Sequence, residues 1–332
     1  MAALPILRPL PAPSARPWAG DRLGDGVGEL WLAGPDSLVD VGDGTPRTLD
    51  ELAAIHGVAL VGTNGMARLG ARFPLLTKVI DAHAWLSLQV HPSDELAASL
   101  FGPGTLGKTE AWVVLDAAPG ALLITGPSRS LDEARLRDAI GSGTMGQPEC
   151  DEHPGRPGDA WFLRAGTIHA IGPGLLVFEI EEPSDLTFRI SDWGRPATAA
   201  RPLHTHEALL AVRPRSHALP SGFAWRLDGG ELRVPEFRLE LVSGPGTDRR
   251  RPGDRTLEIV TALRGRVVAV GDGWREILEP YETLVVPASM RAYSLEPESD
   301  AVAAVGSVPG RKRTSTSSTT RSRTSSGVST SS

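Results

Sequence analysis

A chain of 332 residues with 40% hydrophobic and 22% charged residues has the apolar mass for one large core or two medium ones. Its one cysteine, Cys150, excludes an intramolecular disulfide framework or a cysteine-based zinc cluster and suits a reducing compartment. The formal net charge of -6 hides an asymmetry: Arg311, Lys312, Arg313, Arg321 and Arg323 lie in a last segment without acids, so the remaining body is more acidic still and lacks the basic face of a nucleic-acid binder. No run approaches 18 consecutive apolar residues, and prolines interrupt "MAALPILRPLPAPSARPW" where a signal peptide needs an apolar helix; the expectation is a soluble, cytoplasmic protein without membrane contact.

With 37 glycines, 28 prolines and only 5% aromatics, the pattern favours many short strands over a helical bundle. "ELWLAG" and "FPLLTKVIDAHAWLSLQVHP" read as short strands with turns, and "EAWVVLDAAPGALLITG" as two strands joined at Ala118-Pro119-Gly120. The one strong helical signal of this half is "SLDEARLRDAI", with Ser130 as N-cap and Glu133 three residues on, giving a small helical insertion near 130–141. "RPGDAWFLRAGTIHAIGPGLLVFEIEE" returns to strands, and "HTHEALLAVRP" is a short helix ending at Pro214. From about residue 220 strands resume, with turns at Gly229-Gly230, Gly244-Pro245-Gly246 and Gly271-Asp272-Gly273. Residues 309–332 are Ser, Thr and Arg with little to bury, and are expected to form a disordered tail.

A weak internal repeat runs through this layout. "RPGDAWFLRAGTIHAIGPG" and "LEPYETLVVPASMRAYSLEP" share a turn, an apolar strand, a Pro or Ala corner and a polar residue entering the next strand. That plan matches the second half of a cupin motif, an antiparallel barrel in which a histidine after the corner supplies a metal ligand. The first copy has His169 there; the second offers Arg291 and Tyr293, which are poor metal ligands.

In "LSLQVHPSDE" Gln89 and His91 alternate with Leu88 and Val90, so a strand points both polar side chains the same way. Alone, this pair reads more readily as a solvated strand face. Lys108 and Glu110 share a face if "KTEAWVV" is extended, and His169 lies in "AGTIHAIG", where an unpaired buried imidazole is costly. Two imidazoles, a carboxylate and an amide oxygen make a borderline N/O set for a divalent ion, most often zinc. His56, His83, His153, His204, His206 and His217 fall in loop-like or helix-end settings and carry no such signal.

"LSLQVHPSDE", "GKTEAWVVLDA", "GTIHAIGPGLLVFEIEEPSDLTFRISDWGR" and "RPLHTHEALLAV", in that order, resemble the short bacterial form of the type I phosphomannose isomerases, over a stretch from about Trp18 to residue 212. Ala19 replaces the first glycine of that family's Trp-Gly-Gly stretch. The resemblance implies a mainly β fold of two cupin-like antiparallel barrels (jelly rolls), and a zinc-dependent aldose-ketose isomerase interconverting mannose 6-phosphate and fructose 6-phosphate through an enediol. It implies one Zn2+ per chain on Gln89, His91, Glu110 and His169, and an essential arginine at Arg189.

Isomerisation moves a proton between C1 and C2, and Lys108 and Asp185 are the candidates for that work; Lys108 can instead bind substrate, and Asp185 can instead hold Arg189 by an ion pair. Trp193 can stack on sugar or close the core. Residues 1–215 are expected to form the catalytic, metal-binding part and 216–308 a second cupin-like part without ligands, whose Tyr281, Arg291 and Tyr293 are surface or core candidates. The expected partner is a small sugar phosphate, with no nucleic acid and no membrane, the chain being a monomer or weak homodimer. Competing readings are an Fe(II) cupin oxygenase, which the two-His-one-carboxylate set also allows, and a non-catalytic sugar-phosphate-binding cupin.

Overall fold

The computed structural model describes residues 4–42, 44–217, 219–220 and 230–310. Gly229 and residues 311–332, and with them most of the expected disordered tail, lie outside the described residues. Every strand pair described is antiparallel. The largest sheet orders seven strands as Ala12–Ala15, Val27–Ala33, Leu76–Asp81, Leu175–Glu181, Glu110–Ala117, Ala160–Leu163 and Leu219–Pro220. Against its inner face lie a three-stranded sheet (Ala170–Ile171, Leu122–Pro127, Cys150–Pro154) and the pair Leu88–Val90 with Phe188–Ser191. The later half repeats the plan with a five-stranded sheet, including Glu258–Arg264, Thr283–Val286 and Val302–Ser307, and a four-stranded one, including Asp248–Arg250 and Tyr293–Pro297. The fold is therefore mainly β, as expected, but among the described residues no sheet closes on itself into a hydrogen-bonded barrel.

Period-2 alternation makes two cores from the large sheet. Val79, Val113, Phe178 and Ile180 point outward and meet Leu239, Ile259, Val285 and Val302 of the later half in one shared core, all nearly inaccessible. Ile80, Trp112, Val114 and Val177 point inward and pack on Leu123 and Ile171 of the facing sheet. At about 25 cal/mol per Å² of apolar area removed from water, such shared burial ties the two halves together. The first residues take part as well: Leu7 exchanges backbone hydrogen bonds of 2.9 and 2.8 Å with Val285.

Among the described residues five α-helices decorate the sheets, against the two read from the sequence. Helix α1 (Leu49–His56) starts with a complete capping box between Thr48 and Glu51. Helix α2 (Val58–Leu69) contains Gly62 at φ 75°, where a Cβ would sit 2.4 Å from the Arg255 carbonyl; the kink lets Thr63 and Asn64 donate to the Asp254 and Arg255 carbonyls. Helix α3 (Asp94–Phe101) is capped by Ser93. Helix α4 (Glu133–Ser142) is the expected insertion, but its N-cap is Asp132, which accepts from the Arg135 amide at 2.8 Å, in place of Ser130. Helix α5 (Thr205–Ala211) falls where expected and ends before Pro214.

Candidate metal and substrate site

The inner face of the large sheet changes character along its strands. Where Trp112, Val114 and Val177 end, the same alternation places Glu29, Lys78, Glu110, Glu179 and Glu181, all buried, on four adjacent strands. Register fixes their neighbours: Lys78 lies opposite Glu179, Glu179 opposite Trp112, and Glu181 opposite Glu110. Facing them, Gln89 pairs across strands with Arg189 and forms a two-way backbone bridge with His169. The space between is a cavity of about 520 Å³, within the range of small-ligand clefts.

His91, Glu110 and His169 converge at the closed end of this wall. The His91 Nδ1–H donates to the Leu186 carbonyl at 2.8 Å and the His169 Nδ1–H to the Thr167 carbonyl at 2.9 Å, which leaves both Nε2 lone pairs turned inward. These Nε2 atoms lie 3.4 and 3.3 Å from the two oxygens of Glu110. His91 Nε2 and both Glu110 oxygens are buried without a partner in hydrogen-bonding geometry. Burial pushes His169 down to about 4 despite the Glu110 carboxylate, with His91 adding to the push, so its imidazole is neutral and can ligate. Gln89 Nε2 lies 3.2 Å from His169 Nε2 while its Oε1 accepts from the Ser87 hydroxyl. A half-turn of the amide puts Oε1 in the Nε2 position.

This donor set fits a first-row divalent ion. Ligands held at about 2.0–2.1 Å in a tetrahedron are about 3.3–3.4 Å apart, the spacing found here. Lone pairs left unmatched in a buried place are costly unless a ligand takes them. The structure thus brings all four expected metal-site residues together, three of them within one cluster of ligand atoms.

Lys108 lies just before its strand, yet its Nζ reaches Glu110 Oε2 at 3.0 Å, Glu179 Oε1 at 3.3 Å and Glu181 Oε2. Burial works against its charge, but those three carboxylates outweigh burial and hold the ammonium well above its usual range. Lys78 is held likewise by Glu181 and Glu179, at 3.1 and 3.2 Å. Burial and Glu110 push Glu179 up, but Lys108 and Lys78 pull it further down; in Glu181 burial and Glu179 win over the same lysines and hold it well above the usual carboxylate range. Trp112 Nε1 fixes Glu179 at 2.7 Å. Glu29, Lys78, Glu179 and Glu181 were absent from the expected site. The signal was present: "LTKVID" and "LLVFEIEE" put charges inside apolar strand runs, and a buried charge needs a partner.

Arg189 lines the cavity, its Nη1 donating to the Pro202 carbonyl at 2.8 Å. Burial, then Arg201, lower its pKa, and its buried Nε has no partner. Asp185 also lines the cavity but pairs with Lys78 at 3.4 Å rather than with Arg189, and it precedes the Phe188–Ser191 strand. His204, read from sequence as an unremarkable histidine, lines the cavity and accepts the Arg189 amide on Nδ1 at 3.1 Å. Trp193 lies away from the cavity, tilted on Trp85 at 5.5 Å with its indole donating to the Leu86 carbonyl. In the later half Tyr293 is buried and Arg291 exposed, and neither they nor Tyr281 line the cavity.

The pattern of the family "Phosphomannose isomerase type I, catalytic domain" matches residues 22–105. Mannose-6-phosphate isomerase from Streptococcus mutans is 35% identical over 246 residues, covering 69% of this chain and 72% of that protein. A Bacillus subtilis mannose-6-phosphate isomerase is 40% identical over 149 residues, 43% of this chain and 45% of that one. The solved structure of mannose 6-phosphate isomerase from Bacillus subtilis superposes with a TM-score of 0.75 over 91% of this chain and 99% of its own, at 24% identity. No helix among the described residues is long and apolar enough to cross a membrane.

Proposed function

The chain belongs to the mannose-6-phosphate isomerase family, and from that premise we propose that this isomerase interconverts mannose 6-phosphate and fructose 6-phosphate through an enediol, using one zinc ion held by Gln89, His91, Glu110 and His169. The observation that carries the reading is the buried cluster of His91 Nε2, His169 Nε2 and the two Glu110 oxygens at the end of a charged cavity. When bound, zinc supplies positive charge that polarises the sugar carbonyl and stabilises the charge developing on O1 and O2, an effect of several kcal/mol.

The chain's own groups do the rest. Arg189, across the strand pair from Gln89, presents a permanent cation beside the reacting oxygens. Lys108, an ammonium beside Glu110, donates to a sugar oxygen as its charge grows, and Asp185, at the open side, is the carboxylate assigned to the C1–C2 proton. Such general acid-base help is worth about 10²- to 10⁴-fold. Glu179 and Glu181 hold both lysines in place. We read the two sets of facing sheets as two jelly-roll halves, the first (1–215) catalytic and the second (216–308) a support, and place the enzyme in the cytoplasm, where its single thiol stays reduced.

A coupled assay with mannose 6-phosphate on metal-stripped protein, before and after adding Zn2+, tests this. Turnover should appear with the ion and be lost without it. Absence of turnover in both states defeats the assignment, and tightly bound iron with O₂-dependent turnover replaces it by the oxygenase reading.

A further inference from the structure

The cavity is electrically polarised, and that polarity assigns a place to the phosphate. At the closed end two ammonium groups, Lys78 and Lys108, are already matched by Glu110, Glu179 and Glu181, with Glu29 nearby and the half-exposed Asp185 reaching Lys78 from the open side. The charge of both lysines is already compensated there, and a phosphate monoester carrying about -1.5 to -2 charges would meet carboxylates. The open end is different. Arg16, on the lip formed by the Ala12–Ala15 strand, and Arg201, on the loop before α5, line the same cavity with side chains 27% and 21% exposed, against 2–3% for the two lysines.

Both arginines are held from behind by buried carboxylates. Arg16 Nη2 donates to Glu29 Oε2 at 2.8 Å. Arg201 donates through Nε and Nη2 to the two oxygens of Asp192 at 3.3 and 2.9 Å, and Arg195 steadies Asp192 from its other side at 2.7 Å. These anchors fix the guanidinium planes and leave Nη1 of each without a protein partner among the described residues. Arg189 lines the same cavity, its charge opposed by Arg201 and, more weakly, by Arg16. Its guanidinium meets a carbonyl and no carboxylate. Fixed guanidinium forks with donors to spare suit a tetrahedral dianion better than ammonium groups do.

We propose that Arg16 and Arg201 form the seat for the substrate's phosphate, so that the sugar enters with its phosphate at the lip and C1 and C2 toward Gln89, His91, Glu110 and His169. The inference rests on the isomerase reading for its substrate, but the seat is testable without it. Arg16→Gln and Arg201→Gln should each raise the KM for mannose 6-phosphate about 10- to 100-fold, the worth of one charge-assisted hydrogen bond, and change kcat by only a few-fold. Calorimetric titration of the metal-loaded enzyme with inorganic phosphate should show a parallel loss of affinity, with melting temperatures confirming that each variant is folded. Unchanged phosphate binding in both folded variants overturns the seat, as does a loss confined to kcat. If wild-type protein fails to turn over mannose 6-phosphate but its phosphate binding still depends on Arg16 and Arg201, the seat stands and the isomerase reading fails. Should a glutamine variant not fold, the lysine variant takes its place: charge without the fork should give a smaller loss in the same direction, and no loss overturns the seat.

Discussion

The two halves each bury an ionic cluster between facing sheets, and the clusters differ in one respect. In the later half Arg250 donates through Nε and Nη2 to Glu258, through Nη2 to Glu240 and through Nη1 to Asp248, at 2.6 to 3.2 Å, and the Tyr293 hydroxyl donates to Glu258 at 2.6 Å. Every nitrogen of the guanidinium is used. In the earlier half His91 Nε2, both oxygens of Glu110 and both of Glu181 are buried with no partner in hydrogen-bonding geometry, although cations stand within reach. A buried polar set that closes on itself is structure. One that leaves lone pairs pointing at a common centre is built to receive something.

The sharpest way to break that contrast is to remove the anion at the centre of the open cluster. Glu110→Gln should abolish stoichiometric metal binding and cut kcat/KM about 10³-fold or more, because the charge stabilisation supplied at this point is worth several kcal/mol. Added Zn2+ should raise the melting temperature of the wild-type protein and leave that of the variant unmoved, since only a protein that binds the ion in its folded state is stabilised by it. A variant that keeps its metal and its activity would mean that the unmatched lone pairs are incidental.

The complementary change strikes the closed cluster. Arg250→Met leaves Glu240, Asp248 and Glu258 without their common cation, and uncoupling a buried ion pair in this way costs about 3–5 kcal/mol. Urea unfolding should report that loss while metal content and kcat in the folded enzyme stay near wild type. Loss of the metal along with stability would show that the closed cluster serves the site and that the two regions are not separable.

Much of the open cluster is legible in the sequence. Gln89 and His91 stand two apart in an apolar strand, His169 sits alone in an apolar corner, and Glu110 opens an apolar run; alternation alone aims each at an interior. The wall behind them was less legible because Lys78, Glu179 and Glu181 look like ordinary charged residues until the register places Lys78 opposite Glu179. Lips and anchors depend on non-local geometry: nothing local in "SARPWAG" or "TAARPLH" says that Arg16 and Arg201 face one cavity. Helices α1 and α3 were marked by Thr48 with Glu51 and by Ser93, signals easily overlooked in short segments. Helix α2 was hidden by Gly62 and Gly65, which lower helix propensity, Gly62 being required where the helix docks on the Arg255 backbone. The expected barrels show the same limit, since alternation specifies which face is buried and not whether a sheet closes.

The smallest change tests how the closed cluster distributes its energy. Tyr293 stands where the second copy of the repeat has no histidine, and its phenol, pushed well above the usual range by burial and by Glu258, is protonated at neutral pH and donates to that carboxylate. Tyr293→Phe removes one hydrogen bond to a charged acceptor and little volume, so the expected loss is about 1.5–3 kcal/mol in urea unfolding, with metal content and kcat unchanged. Glu258 remains doubly bound by Arg250 in that variant, so the loss belongs to the phenol alone. In the Arg250→Met background the same carboxylate has lost its cation, and the phenol becomes one of its few remaining donors. The loss in the double variant should therefore exceed the sum of the two single losses, since neighbours in one network do not add. Simple additivity would mean that the five groups act as separate pairs, and the contrast between a closed network and an open site would lose its physical basis.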